Sequence, residues 1–125
     1  MDYDEFITRV AGRADVNLET ASKLTEATLW TLAQRISGGE FEDLAKYLPE
    51  GVRGVYRAVP EPAEAFDVAE FDRRVAEHSG TSTETAEAGI RAVFATMAEP
   101  VPEREIEDVK AQLPPTFHRL FASKD

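Results

Sequence analysis

Asp2-Tyr3-Asp4-Glu5-Phe6-Ile7-Thr8-Arg9-Val10-Ala11 and Asp67-Val68-Ala69-Glu70-Phe71-Asp72-Arg73-Arg74-Val75-Ala76 are the two stretches that decide the fold. Six of the ten positions are identical at an offset of 65 residues. The same offset continues without a gap through Glu19/Glu84, Thr20/Thr85, Ala21/Ala86, Ala27/Ala92, Thr31/Thr96 and Ala33/Ala98. It ends on Glu40/Glu105, Glu42/Glu107, Asp43/Asp108, Leu48/Leu113 and Pro49/Pro114. Apolar exchanges such as Leu29/Phe94, Leu32/Met97, Ile36/Val101 and Phe41/Ile106 keep the pattern between the identities. A fixed period of this kind marks duplication of one structural unit.

Within each unit the apolar spacing is helical. Tyr3, Phe6, Ile7 and Val10 fall at i, i+3, i+4 and i+7, with Val68, Phe71 and Val75 as counterparts. Asp2 with Glu5, and Asp67 with Glu70, have the spacing of a helix cap. A second helix opens at Asn17 or Ser82 and carries Leu24, Thr28, Leu29, Leu32 and Ile36, matched by Gly89, Val93, Phe94, Met97 and Val101. Ser37-Gly38-Gly39 ends it in the first unit, and Pro100 and Pro102 end it in the second. A third helix bears Phe41, Leu44 and Leu48, or Ile106, Val109 and Leu113. After each Leu-Pro step a short fourth helix follows, with Val52, Val55 and Tyr56, or Phe117, Leu120 and Phe121. No stretch alternates with period two for long enough to read as a strand.

The sequence therefore predicts an all-α chain: a tandem pseudo-twofold repeat of a four-helix unit forming one compact helical domain over 1–125. Residues 2–58 are the first repeat, 59–66 the linker and 67–123 the second. Pro60 and Pro62 make the linker extended and semi-rigid.

Charge narrows the function. The net charge is −10, and 14 Lys and Arg face 24 Asp and Glu. Such a surface repels phosphate backbones, so nucleic acid is an unfavourable partner, while a basic protein is a compatible one. With no cysteine there is no disulfide, thiolate metal site or cysteine nucleophile. No apolar run approaches the roughly 18 residues of a membrane span. The acidic start, Met1-Asp2-Tyr3-Asp4-Glu5, does not read as a secretory signal, so the expected location is the cytoplasm.

His78 and His118 replace Arg13 and Arg53 of the other unit, which marks surface positions. Asp15, Asn17, Glu19, Ala21, Lys23 and Glu26 fit the positions of a calcium loop, but Thr20 stands where its glycine belongs. A helix start capped by Asn17 accounts for them better. Glu99, Glu103, Glu105, Glu107 and Asp108 form a dense acidic patch, read as solvated acids near a helix start, with docking of a basic partner and then paired-carboxylate catalysis as the sharper readings. No cofactor and no metal are expected. Arg9, Asp43, Arg74 and Asp108 are charges kept in both units, and the expectation is a structural ion pair within each unit, Arg9 to Asp43 or Glu42 and Arg74 to Asp108 or Glu107, with recognition of a partner as the other reading.

Trp30 is the single tryptophan. At 100° per residue it lies opposite the stripe of Leu24, Thr28 and Leu32, beside Lys23, Ala27 and Gln34. Those four residues are the candidate interaction surface. A large aromatic wastes apolar area when left in water. Trp30 is therefore expected to be at least half buried, against neighbours outside residues 17–37. The linker and the alanine face of Ala88, Ala92 and Ala95 are the first expectation, and a second chain, as in a homodimer, is the other.

The acidic opening Asp2-Tyr3-Asp4-Glu5-Phe6, the middle helix, Ser37-Gly38-Gly39-Glu40 and the two Leu-Pro sites together resemble the prokaryotic domain-of-unknown-function family 2267 across the whole chain. The resemblance implies a helical tandem repeat with no assigned activity. The second unit departs from it at Glu103-Arg104, where the first has its glycine pair, which weakens the predicted start of its third helix. The functional expectation is a soluble, non-enzymatic interaction or scaffold module. The alternative is a small-molecule-binding protein or small enzyme using the groove between the repeats. With no nucleophile-elbow, phosphate-loop or convergent polar set in the sequence, the residues lean against enzymatic activity.

Overall fold

The aspartates that open the two diagnostic stretches also open helices. In a computed structural model, which describes residues 1–53 and 63–121, Asp2 accepts a hydrogen bond from the Glu5 amide at 2.8 Å. Asp67 accepts one from the Glu70 amide at 2.9 Å. Each satisfies an amide that the first helical turn cannot. Helices α1 (Tyr3–Ala14) and α5 (Val68–Ser79) follow. Both end on left-handed residues, Asp15 at φ 58° and Gly80 at φ 72°. Glycine adopts that conformation without strain.

Asn17 caps α2 (Leu18–Arg35) through the Thr20 amide, and Ser82 caps α6 (Thr83–Met97) through the Thr85 amide. Of the residues that matched a calcium loop, Asp15 ends α1, Asn17 caps α2 and the others lie within α2, with Ala21 fully buried. Ser37 caps α3 (Gly38–Ala45), whereas α7 (Glu103–Ala111) starts after Pro102 with no side-chain cap. Glu103 and Glu105 in the first turn of α7 suit the positive end of the helix dipole instead. A short α4 (Glu50–Arg53) and a 3-10 helix (Pro115–Phe121) follow the two Leu-Pro steps. Val55, Tyr56 and the linker prolines lie outside the described residues.

All regular structure among the described residues is helical. Of these helices, none is long and apolar enough to cross a membrane. At the centre α2 packs on α6, with α1 against both and α5 against both. Further out α3 packs on α7, the 3-10 helix on α6, and α4 on α1. Phe6, Phe71, Phe94, Phe117, Leu24, Leu32, Ile90 and Met97 are almost wholly removed from water. Each fully buried side chain of this size contributes roughly 1.5–3 kcal/mol. Phe71 meets Phe94 and Phe117 edge-on at 6.2 and 5.7 Å between centroids.

The central place of α2 corrects the one-sided reading of that helix. Its buried set includes Ala27, Thr31, Ala33 and Gln34 as well as Leu24, Thr28 and Leu32. Part of the side taken as outward is covered, because α5 lies on it, while Lys23 stays exposed.

Candidate functional site

The α2–α5 contact holds the chemically richest surface. Trp30 stacks on the His78 ring at 4.8 Å between centroids, with the planes 10° apart. Trp30 is partly buried, and His78 is exposed. Beside the stack lies an open groove of about 510 Å³, lined by Trp30, Gln34, Arg73, Arg74, Glu77 and His78. Flat stacking of this kind fixes the indole and leaves part of it facing solvent.

The groove charges are held in a network. Arg73 donates to Glu70 at 2.8 Å through both Nε and Nη2, and to Glu77 at 3.2 Å. Arg74 donates to Glu70 at 2.8 Å, to Gln34 Oε1 at 2.9 Å and to Glu64 at 3.1 Å. Its guanidinium lies 3.9 Å from the Phe66 ring centre. Hydrogen bonds from Arg73 and then Arg74 pull the Glu70 carboxyl down to about 2. The bond to Glu70 raises Arg74 above its ordinary range, against the opposing effect of burial. Gln34 is also tied through its carbonyl, which accepts from the Glu64 amide at 2.8 Å. The lining groups are therefore stacking surfaces, an amide and compensated charges.

The four candidate interaction residues do not share one surface. Trp30 and Gln34 line the groove, Ala27 is fully buried in the core, and Lys23 is exposed with Glu19 at 3.7 Å. Trp30 finds its stacking neighbour in His78 of α5, and linker residues 59–62 lie outside the described residues. Ala92 of that face is itself buried. His78 reads as a surface position from its counterpart Arg13. Its exposure agrees with that, and its stacking on Trp30 was missed because the chain alone does not place α5 on α2.

The expected ion pairs are also corrected. Arg9 pairs with Glu5 at 2.5 Å and with Glu99, and Arg13 joins Glu99 at 2.6 Å. Arg74 pairs with Glu70 and Glu64. Asp43 is 3.4 Å from Lys46, and Asp108 lies near Glu40. Arg9 and Asp43 fail to meet, as do Arg74 and Asp108, because α1 and α5 lie on the central helices while α3 and α7 lie on each other.

That α3–α7 contact brings carboxylates together. Glu40, Asp43 and Glu105 each place one oxygen within 4.8 Å of the others. Burial first, and then Asp108, Glu105 and Asp43, push the Glu40 carboxyl above its usual range. Glu40 Oε2 and Glu105 Oε1 are shut off from solvent and have no hydrogen-bond partner among the described residues. Oxygen donors of this type suit a hard divalent cation, although calcium takes roughly six to eight. Gln112 braces the contact by accepting from the Ser37 amide at 2.9 Å. The retained pairs Glu40/Glu105 and Asp43/Asp108 were the sequence signal for this cluster.

Fold and surface together define a small all-helical protein with two central helices and a shallow groove across one of them. The chain matches the family described as uncharacterized conserved protein (DUF2267) over residues 3–120, and it belongs to that family. Comparison with curated proteins gives no match.

Proposed function

We propose that this chain is a non-enzymatic protein-interaction module whose contact surface is the α2–α5 groove. The observation that carries the reading is Trp30, held flat against His78 beside a groove that opens to solvent. An open, shallow surface with a rigid aromatic suits the side of another protein, since aromatic anchors dominate such contacts. An enclosed pocket would suit a small molecule better. The net charge of −10 favours a basic partner, and the expected setting is the cytoplasm.

The architecture we infer is the tandem repeat, with 2–58 and 67–123 as equivalent units joined by 59–66. Two facts support it. Helix starts at Tyr3, Leu18, Gly38 and Glu50 recur at Val68, Thr83, Glu103 and Pro115, each 65 residues on. Arg9 also reaches Glu99 as Arg74 reaches Gln34, and the offset of 65 carries Arg9 to Arg74 and Gln34 to Glu99. In this arrangement each first helix crosses to the other unit, and the groove lies between the units.

Capture from cell extract with three baits tests the function: the wild type, Trp30→Ala and His78→Ala. Proteins retained by the wild type should be lost from both variants while their circular dichroism stays helical. Identical retained sets on all three baits would overturn the groove as the contact surface. Loss of a bound small molecule, read by mass spectrometry of the native protein, would favour the ligand-binding alternative.

A further inference from the structure

We draw no further inference here: the strongest candidate, the carboxylate cluster of Glu40, Asp43 and Glu105 where α3 meets α7, is a group of partly exposed acidic side chains to which no second observation adds a ligand.

Discussion

Thr28 is fully buried, and its hydroxyl has no hydrogen-bond partner among the described residues. The neighbouring buried threonines solve the same problem locally. Thr25 donates to the Ala21 carbonyl and Thr31 to the Ala27 carbonyl, each at 2.8 Å. Position 93, the counterpart of 28, carries valine and is equally buried. An unsatisfied buried hydroxyl costs about 1–3 kcal/mol, and valine has nearly the same shape. Thr28→Val should therefore raise stability by about 1 kcal/mol, read from urea unfolding; a loss of stability would mean the hydroxyl is bonded.

Asp72 presents the same conflict with charge. It stands where the first half has the buried Ile7, and its Oδ1 is buried without a partner among the described residues. Burial, and then Glu87, lift its carboxyl from 3.8 to about 6, while Arg119 and Arg91 pull the other way. Below pH 3.8 the group is protonated whether the chain is folded or not, and it costs nothing. As pH rises through about 6 the folded chain must ionise it in a poorly hydrated place, and stability falls. Asp72→Asn should be more stable than the wild type at pH 7.5, and the difference should vanish near pH 4. Parallel stability curves across that range would remove Asp72 as the cause.

At the scale of the helix, the α2–α6 crossing rests on one unequal pair. Leu24 and Gly89 are 65 residues apart, and they face each other. A Cβ on Gly89 would come within 2.7 Å of a Leu24 methyl, and Leu24 is fully buried with little room to yield. Alanine is the better helix former by about 1 kcal/mol, but overpacking a closed core costs about 1–3 kcal/mol. Gly89→Ala should therefore destabilise the protein. Leu24→Ala, alone a loss of about 2–5 kcal/mol, should lose less in the Gly89→Ala background. A double-mutant cycle by thermal unfolding checks this, and additive losses would show that the two positions do not compete for space.

Helix starts and types were legible in the sequence because caps and apolar spacing are local. Asp2, Asn17, Asp67 and Ser82 each do what their spacing predicted. The faces of α2 were less legible. Ala27, Thr31 and Gln34 look polar or neutral along the chain, yet they are buried: the small side chains of Ala27 and Thr31 suit a close helix contact, and Arg74 of α5 binds Gln34. The candidate site was read only by its members. Trp30 stood out by its type, while His78 and Arg73 could join it only through packing that spacing does not encode.

Over the whole molecule, the contacts that tie distant segments run through the two central helices. Arg74 binds Gln34, Glu64 and Glu70 and covers Phe66, while Arg9 and Arg13 converge on Glu99. Exposed ion pairs are individually weak, at about 0–1 kcal/mol, and a cation over an aromatic ring adds about 0.5–2 kcal/mol. Arg74→Ala should therefore cost about 1–2 kcal/mol, more than Lys23→Ala, whose one near acid among the described residues is on its own helix. With α1 and α5 each laid on both α2 and α6, neither half buries its own core alone. The chain should therefore unfold as one cooperative unit. Trp30, the single tryptophan, reports the α2–α5 contact by its fluorescence, and far-ultraviolet circular dichroism reports all helices. The two signals should give one midpoint in urea, and Arg74→Ala should shift both together. A fluorescence change that precedes the loss of helix would separate α5 from the rest, and the single-domain reading of residues 1–125 would have to be given up.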